Sequence, residues 1–163
     1  MLIINKNRIH YLILLLLIVN SCRIVDTKNN NGVDVINKII DKWHADARDA
    51  NFQEYFNRIS DNGYYIGTDS SEIWTKAEFE YFAKPYFDKK KTWNFKTIKR
   101  SVYFSKDKNT AWFNELLNTW MGKCRGSGIL EFENGSWKIK QYVLSITIPN
   151  TKIDKVIEIK SNF

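Results

Sequence analysis

The sequence predicts a cone-shaped α+β domain, in which three N-terminal helices pack on a strongly bent antiparallel sheet. Three observations lead to this class. Apolar residues recur every three or four positions up to about residue 88 and every second position from Trp93 onward. The pair Asn134-Gly135 between the last two strands is typical of a tight hairpin turn. Two strands change the face that carries their apolar residues, which indicates bulges that bend the sheet.

A targeting segment precedes this domain. Lys6 and Arg8 provide positive charge, and the apolar stretch that follows is too short to cross a bilayer, so residues 1–21 are predicted to be a signal peptide. Residues 19–22, Val-Asn-Ser-Cys, resemble the bacterial lipobox. That resemblance implies lipidation of Cys22 and a location in the bacterial cell envelope, lipid-anchored to the membrane. The alternatives are cleavage by ordinary signal peptidase or a retained N-terminal helix.

Composition limits the remaining partners and bonds. Residues 22–32 are polar and Asn-rich, which predicts a flexible tether. The net charge is +7, of which Lys6 and Arg8 belong to the predicted signal peptide, and the other lysines are spread along the chain. Scattered lysines are typical of a solvated surface, and such a surface near an anionic membrane would be weakly attracted to it. No nucleic-acid motif is present. With Cys22 lipidated, Cys124 has no partner for an intrachain disulfide, and we expect it to be a buried apolar residue.

The first two helices follow from helical spacing. Six apolar residues place the first helix over 33–50: Val33, Ile36, Ile40, Trp43, Ala47 and Ala50. A second, short helix carries Phe52, Tyr55, Phe56 and Ile59 and is ended by the polar segment 60–63. Residues 64–66 are a short strand candidate, followed by a loop over 67–72.

The third helix has the clearest start signal. Thr75 and Glu78 form a capping box, and Trp74 with Phe79 occupies the two positions of a hydrophobic staple. The predicted apolar face continues through Phe79, Phe82, Ala83 and Tyr86, and the helix ends near Asp88.

Four strands are predicted over 93–105, 110–121, 125–133 and 136–148, with a looser turn at 106–109. In the first, the apolar set shifts between Phe95 and Ile98, and in the last between Ile139 and Tyr142. We therefore expect one bulge in each of these strands and a cavity between the helices and the bent sheet. The tail, 151–163, suits a strand or a helix equally.

Four segments carry a resemblance to a known family: 67–69 (Gly-Thr-Asp) with Glu72 and Trp74, 111–113 (Ala-Trp-Phe) with Glu115, 125–128 (Arg-Gly-Ser-Gly), and 137–150, which begins Trp-Lys-Ile. With the helix and strand order, they resemble the SnoaL-like branch of the nuclear transport factor 2-like superfamily over residues 33–150. The superfamily includes isomerases, cyclases and dehydratases as well as members that only bind or assemble. The resemblance also implies a homodimer through the open sheet face.

Arg100 and Glu115 are charged residues that alternate with apolar ones on neighbouring strands. Because an unpaired buried ion costs several kcal/mol, we expect the two to meet inside the cone. They would form either a ligand-binding or acid–base pair in a pocket, or a structural ion pair that closes the core.

Asp69 and Glu115 are the candidate catalytic residues, since a carboxylate in an aromatic pocket can act as a general base. Asp69, like Glu72, also suits turn formation or capping before the third helix. His44 either borders the cavity or lies at the surface. No Cys/His spacing predicts a metal site, and no cofactor is implied.

Aromatic residues along the chain predict the lining of a pocket or, alternatively, plain core. The predicted ligand-binding residues are Trp43, Tyr55, Trp74, Arg100, Glu115, Arg125 and Tyr142. The function favoured is a membrane-tethered domain that binds a small apolar or mildly acidic ligand, or another partner, without catalysis. The alternatives are a cofactor-independent pocket enzyme of the isomerase, dehydratase or cyclase type, and a purely structural envelope subunit.

Overall fold

The computed structural model describes residues 32–161; the predicted signal peptide, Cys22 and the tether up to residue 31 lie outside them. Helix α1 spans Gly32–Arg48 and helix α2 spans Phe52–Asn57, as the spacing predicts. Helix α1 buries Ile36, Ile40, Trp43 and Ala47 on one face, whereas Val33 at its start is 46% exposed. Among residues 32–161, no helix is both long enough and apolar enough to span a membrane.

The first strand is longer than predicted. Strand β1 spans Ile59–Ile66, so Ile59 belongs to the sheet and not to the second helix. The polar segment 60–63 lies within this strand, at a shift in register between Ile59 and Tyr64. Gly63 is needed there, because a Cβ would lie 2.9 Å from the Ser60 carbonyl oxygen and 3.0 Å from that of Ile139.

A short strand that the sequence analysis did not predict, β2 (Ile73–Thr75), pairs with β1 and leads into helix α3 (Lys76–Asp88). The predicted capping box is confirmed: Thr75 Oγ1 accepts from the Glu78 N–H, and Glu78 Oε2 accepts from the Thr75 N–H. The staple rings of Trp74 and Phe79 stack with centroids 5.6 Å apart. The buried face of α3 is Phe79, Ala83 and Phe87, whereas Phe82 and Tyr86 are exposed.

The sheet is completed by four long strands: β3 (Lys96–Phe104), β4 (Thr110–Thr119), β5 (Gly122–Glu133) and β6 (Ser136–Ile146). Its order is β2-β1-β6-β5-β4-β3. All neighbouring pairs are antiparallel except β1 and β6, which run parallel. The sheet is therefore mixed, because the chain passes through α3 and β3–β5 between these two strands.

Both predicted bulges are confirmed. The register between β3 and β4 shifts between Thr97 and Lys99, which leaves Ile98 unpaired and 52% exposed. The register between β5 and β6 shifts where Ile129 and Leu130 pair with Gln141 and Ile139. The extra residue in β6 is Lys140. It returns Tyr142 and Leu144 to the face that buries Trp137 and Ile139.

The last hairpin turn, the start of α1 and the C-terminal segment complete the fold. Asn134 and Gly135 both have positive φ, 49° and 80°, as the predicted hairpin turn requires. The start of α1 lies at the same end of the sheet as Phe104, since a Cβ on Gly32 would approach the Phe104 ring to 3.0 Å. The tail forms helix α4 (Ile153–Lys160), which buries none of its side chains.

Candidate functional site

Glu115 lies at the centre of a buried polar network inside the domain. Its side chain points inward from the middle of β4, between the buried Phe113 and Leu117, and is 1% exposed. The Oε1 atom accepts from Tyr142 Oη at 3.0 Å and contacts His44 Nε2 at 2.8 Å. Because an ionised carboxylate only accepts, Nε2 is the protonated nitrogen of this imidazole.

Arg100 supplies two further donors to Glu115. It lies opposite Glu115 in the β3–β4 register, and its Nε and Nη2 atoms donate to Glu115 Oε2 at 3.0 and 2.8 Å. The predicted meeting of these two side chains is therefore confirmed. Arg100 Nη1 also donates to Asp41 Oδ1 at 2.8 Å, which ties the sheet to helix α1.

The network keeps Glu115 ionised. Burial by itself raises the pKa of this carboxyl, but the hydrogen bond and charge of His44, followed by Arg100, outweigh burial and hold the pKa below its usual value. For Tyr142, burial and then the charge of Glu115 raise the pKa well above the usual range, so its hydroxyl remains a donor. The site thus holds a charged base with five hydrogen-bond donors around it, the fifth being Thr97 Oγ1, which donates to Glu115 Oε2 at 3.4 Å.

The predicted lining residues Trp43, Tyr55 and Tyr142 lie in a solid aromatic core. Trp43 stacks on Tyr55 with centroids 4.9 Å apart, and the Tyr142 ring meets Trp43 edge-on at 4.8 Å. All three are 1% exposed. This core fills the space between the helices and the sheet beside the polar network.

An open cavity of about 150 Å³ lies at the other end of the aromatic core. Seven rings line it: Tyr65, Trp74, Phe79, Phe82, Trp93, Phe95 and Trp120. Met121 and Leu144 add apolar surface, and Thr68 and Glu72 provide polar side chains. Neither Glu115 nor Arg100 is among the lining residues. A groove of about 510 Å³ adjoins the cavity, sharing Phe82, Trp93 and Trp120 with it.

The residues predicted to form one site lie in different places: some line the cavity, some belong to the buried network and some are exposed. Trp74 lines the cavity, whereas Arg100 and Glu115 belong to the buried network. Asp69 is exposed in the loop after β1, where Asp69 Oδ1 accepts from the Ser71 N–H at 2.9 Å. Ser71 Oγ donates to the same oxygen at 2.6 Å, and this hydrogen bond, followed by that of the Ser71 N–H, lowers the pKa of Asp69 below its usual value. Arg125 is exposed on β5, opposite Leu116 and Ser145.

Two contacts were not predicted from the sequence. Trp120, which is 81% exposed directly after β4, borders the cavity together with Phe82. His44 bonds to Glu115 over a separation of 71 residues, which helical spacing alone cannot reveal. The sequence does contain a signal for Trp120. It is a large aromatic residue at the end of a strand, at a position that the alternating pattern does not predict to be buried.

The other predictions concern Cys124 and metals. Cys124 is fully buried, as predicted, and its Sγ lies 3.4 Å from Thr119 Oγ1. Within residues 32–161, no group of three or more His, Cys, Asp or Glu side chains is arranged to hold a metal ion.

Comparison with known proteins agrees with this architecture. A family model described as a SnoaL-like domain matches residues 36–149. No curated protein matches the chain.

Three solved structures share the fold. A nuclear transport factor 2-like protein from Cytophaga hutchinsonii is 14% identical, with a TM-score of 0.60 over 72% of this chain and 100% of that one. A protein from Parabacteroides distasonis, provisionally named a ketosteroid isomerase, is 15% identical, with a TM-score of 0.60 over 76% and 94%. A provisionally named scytalone dehydratase from Novosphingobium aromaticivorans is 8% identical, with a TM-score of 0.61 over 74% and 87%. At these identities the likeness concerns the fold alone.

Proposed function

The chain belongs to the SnoaL-like domain family of the nuclear transport factor 2-like superfamily, and we propose that it acts as a small-molecule-binding domain without catalysis of its own. The observation that carries this proposal is the separation of the aromatic cavity from the buried carboxylate. The cavity is open and lined by rings, as small-molecule sites commonly are. Glu115, the strongest candidate base, lies elsewhere.

The surroundings of Glu115 argue for a structural role. A carboxylate has about four acceptor positions, and five donors already fill those of Glu115: His44 Nε2, Tyr142 Oη, Thr97 Oγ1 and two nitrogens of Arg100. There is also no room for a ligand beside it, because a Cβ on Gly126 would lie 2.8 Å from Glu115 Oε1 and would overlap Tyr142 Oη. A base that acts on a substrate needs one accessible oxygen.

Membrane attachment and assembly are part of the same proposal. We expect Cys22 to carry the lipid anchor, since two or three acyl chains hold a protein stably at a bilayer. We also expect a homodimer through the outer sheet face. Trp112 lies there, 44% exposed, with its ring 6.0 Å from that of Tyr103 and with Ile129 opposite in the register.

Native mass spectrometry of the full chain, released from a nonionic detergent after purification from its own host, tests the binding proposal. The expected result is a reproducible additional mass that is lost on denaturation. A spectrum without additional mass, together with no binding in a screen of small molecules by ligand-observed NMR, would contradict it. The same spectrum reports whether the chain is a dimer.

A pocket enzyme of the isomerase or dehydratase type is the second candidate. The observation in its favour is an ionised carboxylate held next to an imidazole and a phenol, groups that serve in proton transfer. Two relatives of the fold carry provisional isomerase and dehydratase names.

The two candidates are separated by carboxylate variants. If the protein is an enzyme, Glu115→Gln or Asp69→Asn is expected to abolish turnover of the bound molecule and to leave the melting temperature nearly unchanged. A binding domain predicts that Glu115→Gln lowers the melting temperature strongly. It also predicts that the molecule identified by mass spectrometry is recovered chemically unchanged after incubation with the wild-type protein.

A further inference from the structure

The charges around the aromatic cavity indicate the class of ligand, an inference that rests on the proposed binding function. We propose that this cavity binds a small organic cation of the alkylammonium type, such as a trimethylammonium head group. Three features support this: the aromatic lining with three tryptophans, the single carboxylate among the described lining residues, and the volume. The ligand class inferred here therefore differs from the sequence-based expectation, which is an apolar or mildly acidic ligand held by Arg100 or Arg125.

Aromatic rings that partly stack on one another surround one space. Trp74 stacks on Phe82 and Phe79 with centroids 4.6 and 5.6 Å apart, and Phe79 stacks on Trp93 at 5.8 Å. Trp120 borders the same space from the end of β4. Aromatic faces carry partial negative charge and attract cations within about 6 Å, with tryptophan the strongest. An assembly of three tryptophans around one cavity therefore favours a positive ligand.

Glu72 is the one charged side chain among the described lining residues. Gly67 provides the room for it, because a Cβ at Gly67 would overlap the Glu72 carboxylate. Its Oε2 atom accepts one hydrogen bond, from the Asp69 N–H at 3.2 Å, and Glu72 forms no salt bridge with any residue in the range 32–161. The carboxylate is thus available to a cation.

The negative charge of Glu72 also affects Tyr65, which lines the same cavity. Burial first, and then the negative charge of Glu72, raise the pKa of the Tyr65 hydroxyl. Tyr65 is 7% exposed and lines the same cavity, with its ring 4.0 Å from that of Phe79. The arginines that would attract an anion are elsewhere: Arg100 is paired with Glu115 and Asp41, and Arg125 is exposed on β5.

The volume limits the ligand to a head group of this kind. A cavity of about 150 Å³ holds a molecule the size of benzene, and a trimethylammonium group is of similar size. The remainder of a longer ligand would lie in the adjoining groove, where Lys91 is the charged lining residue. Desolvation of a quaternary ammonium is easier than that of a primary one, because it has no N–H groups to leave unpaired.

Isothermal titration calorimetry of the full chain in nonionic detergent tests the inference with two probes of the same shape. Choline carries the charge, and 3,3-dimethylbutan-1-ol is its neutral isostere. We expect choline to bind at least about tenfold more tightly, which corresponds to a cation–π contribution of one partly desolvated site.

Two variants locate the site. Trp93→Leu keeps an apolar wall but removes a π-face, and Glu72→Gln removes the charge; each is expected to weaken choline binding about tenfold while Glu72→Gln leaves binding of the isostere unchanged. Glu54→Gln is the matched control. Its side chain is 64% exposed on α2, so it changes the net charge equally without touching the cavity.

The outcomes distinguish the two proposals. Equal or tighter binding of the neutral isostere would overturn the cation inference and leave the binding function intact. Choline binding that Glu72→Gln and Trp93→Leu do not weaken would also overturn it, because the cation would then bind elsewhere. Binding of neither probe, with a co-purified ligand of another class in the mass spectrum, overturns this inference alone, whereas binding of no small molecule at all overturns both.

Discussion

At the scale of single residues, Glu115 determines how the domain responds to acid. Its pKa is held below the usual glutamate value of 4.5 in the folded state, despite burial, by His44 and Arg100. The unfolded chain therefore binds the proton more readily than the folded one. It follows that this carboxylate stabilises the fold above its unfolded pKa, and that the stabilisation is lost as the pH falls through the folded pKa.

We expect Glu115→Gln to lower the free energy of unfolding by about 3 kcal/mol at neutral pH, since it leaves the buried Arg100 without its main partner. Urea denaturation at neutral pH and at about pH 3 measures this, and the difference from wild type should narrow at the lower pH. Asp69→Asn is the control. Asp69 is an exposed carboxylate, and asparagine keeps the Oδ1 that accepts from Ser71, so its replacement should cost much less than Glu115→Gln. A cost for Glu115→Gln that does not depend on pH would contradict the ionised network.

The same residues show what alternation along a strand can predict. Arg100 and Glu115 fall on apolar faces of adjacent strands, so their contact follows from the pattern and the register. The division between a filled core and an open cavity does not follow, because Trp43 and Trp74 are equally apolar in sequence. Only the packing of the elements places Trp43 in the solid core and Trp74 at the opening.

At the scale of elements, the start of α3 positions one wall of the cavity. Trp74 and Phe82 stack across the first two turns of this helix, and the Thr75 capping box fixes where the helix begins. A lost N-cap side chain typically costs about 1 kcal/mol.

Thr75→Ala is therefore expected to lower the free energy of unfolding by about 1 kcal/mol, as measured by urea denaturation. Thr75→Ser keeps the hydroxyl acceptor and should retain most of that stability. Equal losses in the two variants would show that the methyl group, and not the cap, is responsible.

The elements also show where the periodic pattern is informative. Each bulge was predicted because an apolar set changed parity within one strand, at Ile98 and between Ile139 and Tyr142. Strand β1 was shortened in the prediction because the segment 60–63 has the composition of a turn. Strand β1 pairs in parallel with β6, which is distant from it in the sequence. No local sequence pattern can therefore predict this pairing.

At the scale of the whole molecule, the proposed lipid anchor makes a prediction about where the protein is found. We expect Cys22→Ser to move the protein from the membrane fraction to the soluble fraction, because the lipobox interpretation proposes this cysteine as the attachment point of the acyl chains. Fractionation and immunoblotting of the two proteins measure it. Cys124→Ser is the control, since Cys124 is buried in the sheet and its replacement should leave the distribution unchanged. Membrane association that persists in Cys22→Ser would exclude the lipobox interpretation.

Gly32 and Trp120 lie near opposite ends of strand β4. Gly32 packs near Phe104, beside the start of β4, and Trp120 follows the end of β4. Ten strand residues lie between them, a distance on the order of 30 Å. The first turn of α1 and the opening of the cavity thus lie at opposite ends of this strand, so a ligand that enters beside Trp120 does not pass the start of helix α1.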